Sequence, residues 1–367
     1  MVQDQSLQAH LEELKSPNSE TRAQGASALG EMGSAAQPAV PDLIKAAKDP
    51  DEVVQEWAVY ALGRIGPGAA AAVPTLIECL KECAAHQKEW LIATLGRIGP
   101  AAAPAVPLLI EALKGPSEVL RSIAANALAN IGPGAASAVH ALAAALEDHD
   151  SAVRQNALHA LGEVGPAALL AVSGLIWALK DSDKNNRVLA ASALGKIGPG
   201  ASSAVPALAQ ALISDQESVR VRVYAAGALG QIGPRVPGVV PALAEGLKDS
   251  DQAVRALAAR TLGKMAANAV AAVPNLTQAL NDPDRDVRLL AASALLRIDP
   301  NTSAAVEVLT SALKDKDAGV RLLAAGIIAE VGPRAVGAIP ALKEAAKDPD
   351  EAVRHTAAQA LESVRAS

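Results

Sequence analysis

The sequence predicts an all-α protein, a right-handed α-solenoid of eleven two-helix repeats with a period of 33 residues. The first observation is a segment that is clearest at residues 151–166, with the pattern V-R-x-x-A-x-x-A-L-G-x-(I/V)-G-P. The second is its spacing, because the Arg position returns every 33 residues, apart from one step of 35 residues between Arg187 and Arg222. The residues at this position are Arg22, Gln55, Lys88, Arg121, Arg154, Arg187, Arg222, Arg255, Arg288, Arg321 and Arg354.

Each repeat is expected to begin with a short apolar helix of the type A-V-P-x-L, as at residues 39–49, 105–113 and 204–212. Its apolar residues fall at i, i+3, i+4 and i+7, which is the period of a helix. A proline recurs near its start, where a first helical turn tolerates the missing N–H. These prolines are Pro41, Pro74, Pro107, Pro206, Pro241, Pro274 and Pro340.

The second helix of each repeat follows a D-x-D turn, whose second aspartate is a good N-cap for the positive end of a helix. The helix is expected to stop at a Gly-Pro pair, because glycine adopts the left-handed conformation and proline cannot continue the helix. Ala266 and Asp299 stand where repeats 8 and 9 would have this glycine.

These patterns resemble a HEAT repeat. The sequence pattern V-R-x-x-A-A-x-A-L-G-x-I-G is similar to that of the bacterial phycobilisome-lyase-like branch of the HEAT-repeat family. The resemblance implies a ladder of Asp–Arg pairs within and between repeats, weakened where Gln55 and Lys88 replace arginine. It covers one array, residues 1–367, divided approximately into 1–33, 34–66, 67–99, 100–132, 133–165, 166–198, 199–233, 234–266, 267–299, 300–332 and 333–367.

Composition excludes several functional classes. Half of the residues are apolar, yet Phe is absent and the chain has three Trp and two Tyr, which favours closely packed small side chains over a large ligand cavity. A net charge of −6 argues against a general nucleic-acid-binding protein. We find no uninterrupted apolar run of 18 residues and no secretory leader, so we expect no membrane segment and a bacterial, cytoplasmic protein, although a trimmed leader would give the same sequence.

The cysteines offer little chemistry. Cys79 and Cys83 are four residues apart on one predicted helix, where a disulfide fits badly. With His86 they could suggest a metal site, but a fourth ligand is missing and Cys79 is expected to pack inward. We therefore predict no catalytic residue, no metal and no cofactor.

A candidate binding surface lies on the second helices, at positions 1, 2, 5 and 9 after the Arg position, which differ most between the repeats of this chain. Trp57, Tyr60 and Trp90 occupy this face in repeats 2 and 3, and Trp57 and Trp90 are expected about 10 Å apart. The alternative is that they fill a gap in an alanine-rich core. Polar neighbours on the same face are Glu56, Arg64, Glu89, Arg97, Asn126, Asn156 and His159.

The sequence thus predicts a non-catalytic scaffold or adaptor that binds a protein or peptide on the second-helix face. An alternative, implied by the family branch alone, is a bilin lyase or a chromophore-handling chaperone. DNA binding is disfavoured because Glu56, Glu89, Glu163 and Glu330 interrupt the face. A second apolar patch, Leu289-Leu290 and Leu322-Leu323, fits partial burial or a dimer surface, so the oligomeric state stays open.

Overall fold

The computed structural model describes residues 2–366, and within this range its regular secondary structure is entirely helical. Twenty-two α-helices follow one another in eleven pairs, which confirms the predicted all-α, two-helix repeat. The chain divides after residue 197 into two compact units, each with its own set of packed repeats. The prediction that all repeats form one array stays a prediction.

The first unit contains the first six helix pairs. They are α1 (Val2–Glu13), α2 (Ser19–Met32), α3 (Val40–Ala46), α4 (Glu52–Ile65), α5 (Val73–Glu82), α6 (Lys88–Ile98), α7 (Val106–Leu113), α8 (Glu118–Ile131), α9 (Val139–Ala145), α10 (Ser151–Val164), α11 (Val172–Ala178) and α12 (Lys184–Ile197). The second unit contains the other five pairs. They are α13 (Val205–Ile213), α14 (Val219–Ile232), α15 (Val239–Gly246), α16 (Gln252–Met265), α17 (Val273–Ala279), α18 (Arg285–Ile298), α19 (Ser303–Ala312), α20 (Ala318–Val331), α21 (Ile339–Ala345) and α22 (Glu351–Arg365).

The helix ends follow the sequence signals closely. The second aspartate of the D-x-D turn is the N-cap, as at Asp51, whose side chain accepts hydrogen bonds from the N–H groups of Val53 and Val54. The recurrent proline lies in the first turn of the first helix, as predicted. After most second helices a seven-residue 3-10 helix, such as Gly165–Ala171, leads into the next first helix.

A positive φ angle ends most second helices. Gly165, for example, has φ 66° and ψ −134°, a region that residues with a Cβ rarely adopt. Ala266 adopts nearly the same conformation in repeat 8, with φ 49° and ψ −133°, and is therefore strained. Asp299 escapes this strain, because α18 ends in an extended conformation without a 3-10 helix.

Three continuous helical runs are long and apolar enough to cross a membrane by length and composition: Ala85–Leu113, Ser151–Ala178 and Ala318–Ala345. Length and composition therefore do not exclude such segments, and the expectation of no membrane segment stays a prediction. In each run, a glycine with positive φ separates two shorter α-helices. Among the described residues the longest single α-helix is α22, with 15 residues, whereas a spanning helix needs about 20.

Neighbouring second helices pack through small residues. A Cβ placed on Gly96 of α6 would lie 2.8 Å from the Cα of Ala127 on α8, and one on Gly263 of α16 would lie 3.0 Å from the Cα of Ala294 on α18. Both glycines stand eight positions after the Arg position, where most repeats have glycine or alanine. This close approach explains the preference for alanine and glycine over larger side chains.

An arginine ladder joins the turns of successive repeats. Arg154 Nε donates to Asp181 Oδ2 at 2.8 Å and its Nη2 to Oδ1 at 3.2 Å, while its Nη1 donates to the carbonyl oxygens of Asp148 and His149. The predicted ladder is thus present. Within a repeat the arginine donates to backbone carbonyl oxygens, and between repeats it donates to the aspartate carboxylate. Six rungs span 27 residues each: Arg22–Asp49, Arg121–Asp148, Arg154–Asp181, Arg222–Asp249, Arg255–Asp282 and Arg321–Asp348.

The ladder is interrupted at several repeats. Gln55 has no charge to contribute, and the residue 27 positions after Lys88 is Gly115, which has no carboxylate. At repeat 9 both partners are present, yet Arg288 donates to the carbonyl oxygens of its own turn, and the carboxylate of Asp315 lies 3.7 Å from Arg285 instead.

The ladder lowers the pKa of its carboxylates. For Asp49, Asp148 and Asp348 the hydrogen bond from the ladder arginine is the largest cause of the lowered pKa. For Asp181 and Asp282 burial is the largest single influence and acts to raise the pKa. Hydrogen bonds from arginine and from the backbone N–H two residues later outweigh it, so the pKa is lowered overall.

We expect the Ala266→Gly variant to raise the free energy of unfolding by about 1 kcal/mol, because glycine relieves the strained backbone conformation. Urea unfolding followed by circular dichroism measures the change. The matched control is Ala267→Gly at the next residue, which is exposed and has no positive φ. That change should lower stability by about 0.5–1 kcal/mol, and equal destabilisation by both variants would contradict the interpretation.

We expect acid to remove the stability that the ladder provides. Because the folded-state pKa of each carboxylate lies below its unfolded value, this stability is fully present above about pH 5 and is lost as the pH falls through the folded pKa. Arg154→Ala should cost roughly 1–3 kcal/mol at pH 7, and its difference from the parent should shrink towards pH 2. Urea unfolding between these pH values measures both effects, with Arg334→Ala, an exposed arginine, as control. A difference that stays constant with pH would refute the assignment.

Candidate functional site

An aromatic pair is partly exposed on the second helix of repeat 2. Trp57 is 37% exposed and Tyr60 is 36% exposed, and their ring centroids lie 5.5 Å apart with an interplanar angle of 87°. This edge-to-face geometry is a favourable one for two aromatic rings. The Tyr60 ring lies against Gly30 of α2, where an added Cβ would approach it to 3.0 Å. The pair therefore packs against its own repeat and its neighbour, with more than a third of each residue exposed.

The polar candidates around this pair fall into two groups. One group lies open to solvent on α4, α6 and α8, and it consists of Glu56, Arg64, Glu89, Arg97 and Asn126. The other is a charge network on α10 and α12. His159 Nε2 lies 3.3 Å from Glu163, which accepts a hydrogen bond from Lys196 Nζ at 2.7 Å. The bond from Lys196 is the main reason for the lowered pKa of Glu163.

Asn156 and Trp90 are placed differently from the sequence expectation. The Asn156 amide donates to the carbonyl oxygen of Ser122 at 3.2 Å and to its hydroxyl at 3.0 Å, so it joins α10 to α8. Trp90 is half-buried and lines a cleft between helices. The α-helix α6 starts at Lys88, after the 3-10 turn Ala85–Gln87, whereas α4 starts three residues before the equivalent Gln55. Trp90 therefore lies in the first turn of α6, whereas Trp57 lies in the second turn of α4.

The cleft beside Trp90 has a volume of about 590 Å³ and lies between α4, α5 and α6. Three carboxylates line it, and one of them, Glu78, is hydrogen-bonded to Lys48 Nζ at 2.5 Å. The Glu52 carboxylate lies 2.5 Å from His86 Nε2 and accepts a hydrogen bond from Gln87. The third carboxylate belongs to Glu82, the last residue of α5. The cleft thus combines net negative charge with one large aromatic surface.

The cysteines contribute no reactive group to this cleft. Cys79 is half-buried, and its Sγ donates to the carbonyl oxygen of Ala47 at 3.5 Å. Burial raises the pKa of both Cys79 and Cys83, which keeps them as thiols at neutral pH. In the part of the chain that the structure describes, no three His, Cys, Asp or Glu side chains come together as metal ligands.

A second cleft, of about 520 Å³, lies between the second helices α16, α18 and α20. Its apolar lining includes Leu290, Leu323 and Ile327, of which Leu323 is 45% exposed. Charged side chains of both signs complete the lining: Arg260, Lys264, Asp286, Arg297 and Glu330. Of the leucines predicted to form a patch on this face, Leu289 is fully buried, so partial burial describes the patch better than a flat apolar surface.

Two exposed features escaped the sequence analysis. Trp177 on α11 is 77% exposed, and Leu170 in the preceding 3-10 helix is 69% exposed. Trp177 lies on a first helix, where the comparison between second helices could not reveal it.

The Arg220 guanidinium lies 5.9 Å from the ring centroid of Tyr224 on α14, a cation–π contact.

Comparisons with known proteins agree with this architecture. A family model described as HEAT repeats matches residues 7–96, 106–172, 172–247, 211–296, 240–319 and 306–367. No curated protein is similar in sequence. Among solved structures, an engineered protein is 24% identical, with 99% of each chain covered and a TM-score of 0.53.

Chains from two further solved structures are also similar in fold. A chain from the Kap95–Nup1 complex is 15% identical with a TM-score of 0.63, and the match covers 98% of this chain and 57% of that one. A chain from a structure of the cadherin–beta-catenin interaction is 16% identical with a TM-score of 0.51, covering 98% and 90%. At these identities the similarity shows the fold alone.

Proposed function

Because the chain belongs to the HEAT-repeat family, we propose that it is a non-catalytic scaffold or adaptor that binds a protein or peptide partner on its second-helix face. HEAT-repeat solenoids act as protein-interaction scaffolds, and the Kap95–Nup1 and cadherin–beta-catenin structures are examples of such assemblies. Cytoplasmic, bacterial placement, inferred from the sequence, is part of this proposal.

The observation that carries the proposal is the exposed Trp57–Tyr60 pair. Aromatic side chains dominate the binding energy of protein interfaces when a partner covers them. The chain uses five aromatic residues in all, and two of them form this pair on α4 with more than a third of each exposed. Two rings that already pack edge to face have less conformational freedom to lose on binding, which favours their use as an anchor.

The charges around the pair suit a polypeptide better than a nucleic acid. Glu56 and Glu89 alternate with Arg64 and Arg97 across α4 and α6, so the face offers both signs. A phosphate backbone needs a continuous basic lane. A peptide with apolar residues and mixed charges is complementary to this pattern, and protein partners of this kind need no cofactor.

The alternative of a bilin lyase or chromophore-handling chaperone rests on the resemblance to the phycobilisome-lyase-like branch. Its test is the absorbance spectrum of an added tetrapyrrole. An unchanged band at high micromolar protein would remove this alternative.

We expect Trp57→Ala and Tyr60→Ala to weaken partner binding by at least about tenfold each, because each removes a buried anchor of the complex. Partners are captured from cell extract with the parent protein, identified by mass spectrometry, purified, and titrated by calorimetry. Thermal stability should change by less than about 1 kcal/mol, since both rings are partly in solvent already in the free protein.

The matched control is Trp177→Ala, which removes a more exposed indole from a first helix. It should leave the affinity unchanged. A partner that tolerates loss of Trp57 and Tyr60 but requires Trp177 would show that the first-helix face binds it, and the proposal would fail.

A further inference from the structure

The six ladder rungs show what kind of group the turns of this chain accommodate. In the Arg255 rung, Nε and Nη2 donate to the Asp282 carboxylate at 2.7 and 2.9 Å. Its Nη1 donates to the carbonyl oxygens of Asp249 and Ser250 at 2.9 and 3.0 Å. A complete rung is therefore a guanidinium site, made by two carbonyl oxygens of one turn and a carboxylate of the next.

At the junction of repeats 2 and 3 the acid of this site is present but its arginine is missing. Gln55 holds the Arg position, and Glu82 follows 27 residues later, where the rungs have their aspartate. Gln55 Nε2 donates to the Asp49 carbonyl oxygen at 2.6 Å, which replaces one of the arginine hydrogen bonds. The negative charge of Glu82 contributes to the raised pKa of Lys48, but Lys48 Nζ donates its hydrogen bond to Glu78.

Space is present where the guanidinium is missing. Gln55 and Glu82 both line the 590 Å³ cleft described above, and Trp90 forms part of its wall. Three carboxylates, from Glu52, Glu78 and Glu82, line the cleft together with one ammonium group, that of Lys48. A volume of this size accepts a side chain or small ligand.

We propose that this cleft binds an alkylguanidinium group, the side chain of an arginine presented by a partner polypeptide. The guanidinium ion-pairs with the Glu82 carboxylate and stacks against the Trp90 indole. Trp90 supplies the second recognition element, because an aromatic face attracts a guanidinium by cation–π and stacking interactions. The site lies apart from the Trp57–Tyr60 pair, so it stands whether or not the second-helix face binds a partner.

The geometry favours guanidinium over ammonium. A planar guanidinium can engage a carboxylate with two parallel N–H bonds, as the chain's own rungs do, whereas an ammonium is a compact, strongly hydrated charge. Stacking on Trp90 adds to this preference because it needs a flat cation.

The test uses the full chain with Trp57→Phe and Trp177→Phe, which leaves Trp90 as the single tryptophan. N-acetyl-L-argininamide is titrated while Trp90 fluorescence is recorded, and calorimetry confirms the affinity. We expect a saturable change with a dissociation constant on the order of 1 mM, as for one ion pair with stacking. Free L-arginine in a parallel titration distinguishes a free amino acid from a peptide-borne side chain, and N-acetyl-L-lysinamide should bind at least about fivefold more weakly.

Two variants decide the assignment. Glu82→Gln should weaken binding by about tenfold or more, whereas Glu147→Gln, an exposed carboxylate at another turn, should change nothing. Gln55→Arg should abolish binding, because the new side chain occupies the site and completes a rung. It should also raise the melting temperature, so its loss of binding cannot come from unfolding. Absence of saturation up to about 20 mM, equal binding of the lysine compound, or unchanged binding in Gln55→Arg would overturn the proposal.

Discussion

The hydrogen bonding of the turns is the constraint on which each unit of this protein depends. A tight turn between two helices leaves carbonyl oxygens without helical partners, and the ladder arginine donates to two of them. The same guanidinium reaches the carboxylate at the start of the next turn, which in turn accepts the backbone N–H two residues later, as Asp181 does from Asp183. One side chain thus fixes the shape of its own turn and the position of the next repeat.

Much of the fold could be predicted from the sequence because its signals are local. The N-cap aspartates, the first-turn prolines and the helix-ending glycines act within a few residues, so their effect can be inferred without knowing the rest of the chain. Small residues also recur eight positions after the Arg position, and the helical period places them on one side of the second helices.

The site could be predicted only in part. Trp57 and Tyr60 lie on the face that the helical period assigns to them, since α4 begins where the repeat pattern places it. Trp90 has the same position in its repeat, but Ala84 replaces the capping aspartate and α6 begins later. Contacts between repeats decide which groups accept the hydrogen bonds of the Asn156 amide. They also decide which carboxylate each ladder arginine reaches, and no single stretch of sequence contains this information.

The interrupted rungs have a consequence for how these units unfold. Each rung ties two adjacent turns and nothing beyond them, so stability in such an array approximates a sum of nearest-neighbour terms. Where Arg288 and Asp315 stand unjoined, the tie between repeats 9 and 10 is weaker than its neighbours on either side. Local unfolding on heating would therefore begin at the junctions between repeats that lack a rung and would spread to the neighbouring repeats. The chain would unfold in segments before it unfolds as a whole.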